Sequence, residues 1–258
     1  MIRQYPLTPA AGKRLIAKAL VSHPLVTQSL HRGRLVIVAG TTNGYVAEEI
    51  LSHLGQGVGF SRQHFFRGIT VSPAWIAAAH GRPPDNGGFP GDVVIDKGVW
   101  QRAETVFGVA GTLSENDVIV KGANALDIVS GQAANFVDHP DGGPMAAVLP
   151  AVLGRRTKLI VPVGLEKRIS GNLLDLANRL ASGDAKGPRL CPLPGLVFTE
   201  IDAVHLATGA HAVLSGAGGV GGAEGCIWLA VQGSESQLDQ VEALMREVLA
   251  EPPFVSET

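Results

Sequence analysis

Short apolar runs that alternate with segments of helical spacing are the feature that most constrains this fold. Residues 34–40 have the composition of a strand buried on both faces, and residues 41–54 place apolar side chains at helical spacing. Residues 117–120 and 158–163 repeat the buried-strand pattern further along the chain. The alternation predicts the α/β class, with a Rossmann-like, doubly wound and mainly parallel sheet.

The C-terminal quarter has a different pattern. A polar stretch at residues 182–189 is followed by strand, helix, strand, strand and helix signals, and the last helix has an N-cap at Ser234. A small ferredoxin-like α+β subdomain fits that order. We therefore expect a Rossmann-like domain over residues 1–185 and the small subdomain over 186–258.

The composition limits the classes of binding partner that we expect for this protein. The formal net charge is −2, and the longest basic run is the short stretch at residues 155–158, so we expect neither nucleic acid nor an anionic membrane as a partner. Cys191 and Cys226 have no metal-binding spacing, and no apolar stretch is long enough to act as a secretion signal or membrane span. A cytoplasmic protein with a small-molecule or protein partner is expected.

The turn GTTNG at residues 40–44 is a candidate ligand site between a strand and a helix. Backbone N–H groups at a helix N-terminus, two hydroxyl groups and glycine flexibility suit a phosphate or carboxylate. The candidate ligand-binding residues here are Gly40, Thr41, Thr42, Asn43 and Gly44. The alternative is an ordinary turn in which the threonines only cap the helix.

Polar residues also follow the predicted strand at 117–120. Lys121 and Asp127 are candidate catalytic residues and Asn124 a candidate ligand contact, because ligands of α/β proteins bind at the carboxyl ends of strands. Asp96, at the end of another predicted strand, is a further candidate. Alternatively, Lys121 is solvated and Asp127 caps a turn.

Other motifs give weaker signals. The glycine-rich segment 215–225 contains GxGxxG, but strand-forming residues follow it, so a hairpin connection is favoured over dinucleotide binding. His64 and Arg67 could contact an anion or serve packing. The Pro/Gly-rich loop at 80–90 could be a binding loop or a surface excursion. No Ser/His/Asp order or HExxH motif is present, and we expect no cofactor and no metal.

Taken together, these motifs resemble the superfamily that contains ribose-5-phosphate isomerase type A, glucosamine-phosphate deaminase-like proteins and CoA transferases. GTTNG is similar to the isomerase's sugar-phosphate loop GTGST, and VKGANALD at 120–127 is similar to its IDGADEID. Three further segments correspond in order: DGGPM with the helix after it, LIVPVGLEK at 159–167 and LPGLV at 193–197. The resemblance spans roughly residues 10 to 250 and implies this fold.

The resemblance fails at the residues that would do the chemistry. Lys121 and Asn124 stand where the family motif has two aspartates, and apolar residues near Val148 stand where it has a general-base glutamate. Pentose-phosphate isomerisation is therefore not expected. One hypothesis is an isomerase or transferase acting on a small anionic, phosphorylated metabolite, with Asp96 or Glu166 as further polar groups. The other is a non-catalytic ligand sensor or assembly protein, and a homo-oligomer is expected.

Overall fold

The computed structural model describes residues 1–67 and 91–254. Within these ranges the chain is a mixed α/β fold. The strands are β1 (Ile2–Leu7), β2 (Arg34–Ile37), β3 (Val93–Asp96), β4 (Val99–Trp100), β5 (Val118–Val120), β6 (Ala125–Asp127), β7 (Gln132–Val137), β8 (Lys158–Pro162), β9 (Arg189–Pro192), β10 (Leu196–Phe198), β11 (His211–Ala217) and β12 (Ile227–Gln232). The helices are α1 (Pro9–Val21), α2 (Pro24–Arg32), α3 (Thr41–His53), α4 (Val106–Val109), α5 (Gly143–Leu149), α6 (Leu173–Leu180), α7 (Glu200–Thr208) and α8 (Glu235–Val248).

The largest sheet has six strands in the order β10-β8-β5-β2-β3-β4. The first four are parallel, whereas β3 runs antiparallel to β2, and β4 antiparallel to β3. The β3–β4 hairpin turns through Lys97 and Gly98, both at positive φ, the backbone that two-residue hairpins require. The predicted α/β class is confirmed, with a sheet that is mixed because this hairpin forms one edge.

Two smaller antiparallel sheets have the orders β1-β12-β11 and β6-β7-β9. The sequence patterns did not predict β1, β6, β7 or β9. The N-terminal strand β1 pairs with β12, and β10 pairs with β8 in the large sheet. Strands within the range predicted as the C-terminal subdomain are therefore shared with elements outside it.

The glycine-rich segment joins β11 to β12, which pair antiparallel, so the predicted hairpin is confirmed. Helix starts also follow the sequence closely. Thr8 caps α1 by accepting a hydrogen bond from the Ala11 N–H, and a capping box of Ser234 and Gln237 starts α8. A second capping box, of Thr199 and Asp202, starts α7 immediately after β10. This abrupt strand-to-helix change puts Glu200 at the end of the sheet.

The core is largely one cluster of apolar side chains, drawn from the large sheet, from β1, β11 and β12 and from helices including α1, α3, α7 and α8. A small second cluster lies between α6 and the β6-β7-β9 sheet. Among the described helices, none combines the length and apolar character needed to cross a bilayer. Residues 68–71, whose sequence GITV also favours a strand, and the loop at 80–90 lie outside the described residues.

Gly195 provides a test of the packing that positions β10 beside β8. A Cβ on Gly195 would lie 2.7 Å from Leu159 Cγ and 2.8 Å from the Leu159 carbonyl oxygen. Because the backbone oxygen cannot move aside cheaply, we expect Gly195→Ala to lower the free energy of unfolding by about 1–3 kcal/mol. Urea unfolding measures the change.

The matched control is Gly154→Ala, where an added Cβ meets no heavy atom within 4 Å. We expect that change to stay within about 0.5 kcal/mol of the parent. Equal stability of both variants would contradict the close packing of Gly195 against β8.

Candidate functional site

Polar and charged side chains converge at the carboxyl edge of the four parallel strands. This edge is where open α/β sheets bind ligands, because loops rather than helices cover it. The antiparallel strand β3 begins at the same edge, so residues just before it belong to the site too. The residues brought there are Thr42 and Asn43 after β2, Asp92 before β3, Lys121 after β5, Glu166 and Lys167 after β8, and Glu200 after β10.

Asn43 ties together the ends of β2 and β5. Its Nδ2 donates to the carbonyl oxygens of Val38, at 2.6 Å, and Val120, at 3.0 Å. Its Oδ1 and the Thr42 hydroxyl are buried and have no hydrogen-bond partner within the described part of the chain, and the Asn43 Oδ1 and the Thr42 Cβ lie close to Gly122. Buried polar atoms are normally satisfied, so these two point to a group that completes them.

The rest of the GTTNG turn has mixed roles. The Gly40 N–H donates to the Phe65 carbonyl oxygen at 3.2 Å, and Gly40 precedes the first residue of α3. Thr41 is half-buried in the first turn of that helix, whose N–H groups have no intrahelical acceptor. Gly44 packs against Arg62, where a Cβ would lie 3.2 Å from the Arg62 Cβ. Gly44 therefore serves packing, and the first turn is the part open to a ligand.

Two lysines contact consecutive carbonyl groups at the end of β5. The Lys121 Nζ donates to the Gly122 carbonyl oxygen at 3.3 Å, and the Lys167 Nζ donates to the Ala123 carbonyl oxygen at 2.9 Å. Within residues 1–67 and 91–254, no carboxylate lies within salt-bridge distance of either ammonium group. Among the described residues, the hydrogen bonds of both ammonium groups therefore go to backbone carbonyl groups and not to carboxylates.

Desolvation dominates the electrostatics of both lysines. Burial lowers the pKa of Lys121 to about 8, and the neighbouring cations Lys167 and Arg67 lower it further. Burial also lowers the pKa of Lys167, against an opposing effect of Glu166. A positive charge in such surroundings favours either an anion beside it or loss of its proton.

Arg67 and Asp92 form an ion pair at this edge of the sheet. The Arg67 Nη1 lies 3.1 Å from the Asp92 Oδ1, and the carboxylate is fully buried. Asp92 also accepts hydrogen bonds from the N–H groups of Ala39 and Val106, both at 2.9 Å. This carboxylate fixes the loop after β2 and holds the guanidinium group near Lys121.

Glu200 is buried at this edge, with 1% of its surface exposed. Its Oε2 accepts a hydrogen bond from the Leu165 N–H at 2.9 Å, and a Cβ on Gly12 would collide with its Oε1. Burial, reinforced by the nearby Glu166 charge, raises the pKa of Glu200 to about 8. At neutral pH the Glu200 carboxyl is therefore mostly protonated, while Glu166 lies 3.9 Å from the Lys13 Nζ.

The β6-β7-β9 sheet borders the lysines on another side. The Asn135 Nδ2 donates to the Gly122 carbonyl oxygen at 2.9 Å, while its Oδ1 is buried and has no partner in residues 1–67 and 91–254. Asn124, itself exposed, accepts hydrogen bonds from Asn135 and from the Phe136 N–H. Asn124 thus supports Asn135, and Asn135 is the amide closer to the strand end.

Two sequence candidates lie away from this edge. Asp127 accepts hydrogen bonds from the N–H groups of Val129 and Ser130 in the β6–β7 turn, and hydrogen bonding from Ser130 lowers its pKa. These contacts agree with the alternative interpretation, in which Asp127 caps a turn. Asp96 ends the antiparallel β3 and pairs with Arg34 at 3.0 Å, at the opposite edge of the sheet from Lys121.

Sequence patterns did not single out Asp92, Glu200 or Lys13 as site residues. Asp92 is the first residue of the strand predicted at 92–96, but its place at this edge depends on β3 being antiparallel. Glu200 follows a strand end by two residues, a signal that was available. Lys13 lies inside a helix, where only the packing of α1 against α7 brings it to Glu166.

The arrangement can bind an anion and exchange protons. Lys121, Lys167 and the Thr42 hydroxyl can donate hydrogen bonds, and the Asn43 and Asn135 oxygens can accept them. The pKa of Lys121 is lowered to about 8, and the pKa of Glu200 is raised to about 8. Perturbed groups of this kind concentrate at functional sites. Among the described residues, no group of three or more His, Cys, Asp or Glu side chains is placed to hold a metal ion.

Comparison of the chain with protein-family models, with curated proteins and with solved structures finds no match in any of the three.

The electrostatics of Lys121 give a pH-dependent stability prediction. The unfolded chain holds this proton up to a pKa near 10.5, whereas the folded chain loses it near 8. Between these values the unfolded state binds more protons, so this group's contribution to stability rises with pH. Below pH 8, Lys121→Met should raise the free energy of unfolding by up to about 3 kcal/mol, and the gain should shrink toward pH 10.

Denaturant unfolding at pH 7, 8.5 and 10 measures this gain. The control is Lys158→Met, because Lys158 is exposed on the first residue of β8. That variant should show no such pH dependence. A Lys121→Met protein that is less stable than the parent at pH 7 would show that the ammonium group is not strained by burial.

Proposed function

We propose that the protein binds a small anionic, phosphorylated metabolite at the carboxyl edge of its six-stranded sheet. The anion lies between the first turn of α3 and the ammonium groups of Lys121 and Lys167. The observation that carries this proposal is that, among the described residues, two half-buried lysines donate only to carbonyl groups, beside a buried threonine hydroxyl that has no partner there. An anion would neutralise the lysines and accept from the hydroxyl.

A place in the superfamily of ribose-5-phosphate isomerase type A and CoA transferases remains part of this proposal. With it go a Rossmann-like description of the large sheet and a ferredoxin-like description of the C-terminal elements. The order of strand, GTTNG turn and helix supports the relationship. Ribose-5-phosphate isomerisation is not proposed, because Lys121 cannot supply the carboxylate that the family motif has at this position. An isomerase or transferase acting on another phosphorylated metabolite fits better.

The second hypothesis is a non-catalytic ligand sensor or assembly protein. A crevice filled with apolar side chains would favour it, whereas this edge carries two titratable groups with strongly shifted pKa values. We therefore favour the enzyme. Association into a homo-oligomer is also proposed, supported by Ile2, Val213 and Trp228, apolar side chains exposed on one face of the β1-β12-β11 sheet.

Thermal unfolding with added anions tests the proposal. The panel is inorganic phosphate, sugar phosphates, nucleotides and CoA esters, each compared with the chloride salt at equal ionic strength. A ligand present at about a hundred times its Kd stabilises the folded state by about 2.7 kcal/mol, which raises Tm by several degrees. We expect at least one phosphorylated compound to produce such a shift in the parent protein.

Variants assign the shift to the site. Lys167→Met and Thr42→Val should abolish it, each measured against its own ligand-free Tm, whereas Lys97→Met should retain it because Lys97 is exposed at the other edge. The absence of any shift in the parent, or an unchanged shift in both site variants, would refute the anion site.

A further inference from the structure

Lys121 differs from an ordinary anion-binding lysine in where it lies and what surrounds it. It follows β5, which is flanked in the sheet by β2 and β8, so it lies in the middle of the carboxyl edge. Its Nζ makes one contact with a described residue, the 3.3 Å hydrogen bond to Gly122. Such a long, single hydrogen bond leaves the amino group available to a molecule bound beside it.

The groups around Lys121 are arranged to hold such a molecule. Lys167 contacts the next carbonyl along the chain, and Thr42 and Asn43, whose hydroxyl and Oδ1 have no partner among the described residues, lie close to Gly122. Asn135 adds a buried amide oxygen that has no partner among the described residues and can accept a hydrogen bond. A bound anion can therefore be fixed by Lys167 and Thr42 while a second part of the same molecule lies against Lys121.

We propose that Lys121 is a nucleophilic amine that forms an imine with the carbonyl group of a small anionic aldehyde or ketone. This inference rests on the proposed anion site and names the substrate class more narrowly: the anion also carries a carbonyl carbon. It makes Lys121 a catalytic residue, because its nitrogen bonds to the reacting atom.

The step needs no oxidant or cofactor. The lone pair of the neutral Nζ attacks the carbonyl carbon, a C–N bond forms, and the carbonyl oxygen takes up a proton. The nitrogen gives its two protons to solvent, the resulting hydroxyl group takes up a second proton from solvent and departs as water, and a C=N bond remains. Addition of the amine followed by loss of water balances the atoms. The imine accepts electrons from an adjacent carbon more readily than the carbonyl does.

The supply of neutral amine supports this chemistry. With a pKa of about 8, about a quarter of Lys121 is unprotonated at pH 7.5, against about a thousandth for an amine at the usual 10.5. The cause is burial next to Lys167 and Arg67, and this combination of desolvation and neighbouring cations is a known way to activate a lysine. An arriving anion would partly reverse the effect, so the carbonyl must react within the bound complex.

Reductive trapping tests the inference with the full chain. The protein is incubated at pH 7.5 with glyoxylate, a small anionic aldehyde, and cyanoborohydride, which reduces an imine to a stable secondary amine. Peptide mass analysis then gives the labelling rate of each lysine. We expect Lys121 to be labelled at least about tenfold faster than the exposed Lys97 and Lys158, and its rate to rise with pH around a midpoint near 8.

Competition and a variant separate this inference from the anion site. Inorganic phosphate should slow labelling of Lys121 and leave Lys97 and Lys158 unaffected. Lys121→Arg removes the primary amine, so the rapid labelling at this position should disappear while the slow labelling of Lys97 and Lys158 is unchanged. Lys97→Arg, the matched control, should be labelled at Lys121 as the parent is.

The possible failures are distinguishable. If Lys121 is labelled no faster than Lys97 while phosphorylated compounds still shift Tm, the imine inference is wrong and the anion site stands. If Lys121 is labelled rapidly but no anion competes or shifts Tm, the amine is reactive and the proposed anion site is wrong. If neither labelling nor stabilisation occurs, both are wrong.

Discussion

The positive charge of Lys121 and Lys167 is the constraint on which the rest of the site depends. Each ammonium group has given up much of its hydration, and each donates to a single carbonyl oxygen among the described residues. Desolvation of a cation is costly unless a counter-charge lies beside it. The chain keeps both lysines at this cost, and natural sequences keep such destabilising groups mainly where function requires them.

The fold places these lysines with rigid backbone contacts. Asn43 joins the ends of β2 and β5, and Asp92 fixes the loop after β2. Glu200 holds the turn that carries Lys167, because its carboxyl group accepts a hydrogen bond from the Leu165 N–H. Each of these side chains is buried and lies next to a strand end, so the strand ends and their loops are held together in the absence of a ligand.

Much of the fold could be predicted from local patterns. The caps at Thr8 and Ser234, the buried strands at β2, β5 and β8 and the hairpin around the glycine-rich segment each follow from residue types within one segment. Strand partners were harder to predict because they depend on contacts far apart in sequence. β1 pairs with β12 across almost the whole chain, and the short β6 and β9 lack the alternation that marks a strand.

The candidate site shows the same division. Thr42, Asn43 and Lys121 could be predicted because each directly follows a buried strand. Asp96 also follows a strand, but that strand is antiparallel, so the same rule placed it at the wrong edge. Asp127 follows β5 by several residues and is the last residue of β6, in a hairpin that the pattern did not indicate. Its carboxylate caps the turn of that hairpin. The positions of Asp96 and Asp127 depend on the direction and pairing of strands, which the sequence of one segment cannot reveal.

The most direct test is the pKa of the Lys121 amino group, measured by NMR in protein carrying isotope-labelled lysine, with Lys121→Arg used to assign the signal. The account predicts a pKa near 8 in the free protein and a clear rise when a phosphorylated ligand binds, because the anion stabilises the ammonium form. A pKa near 10.5 that does not respond to any ligand that shifts Tm would contradict it.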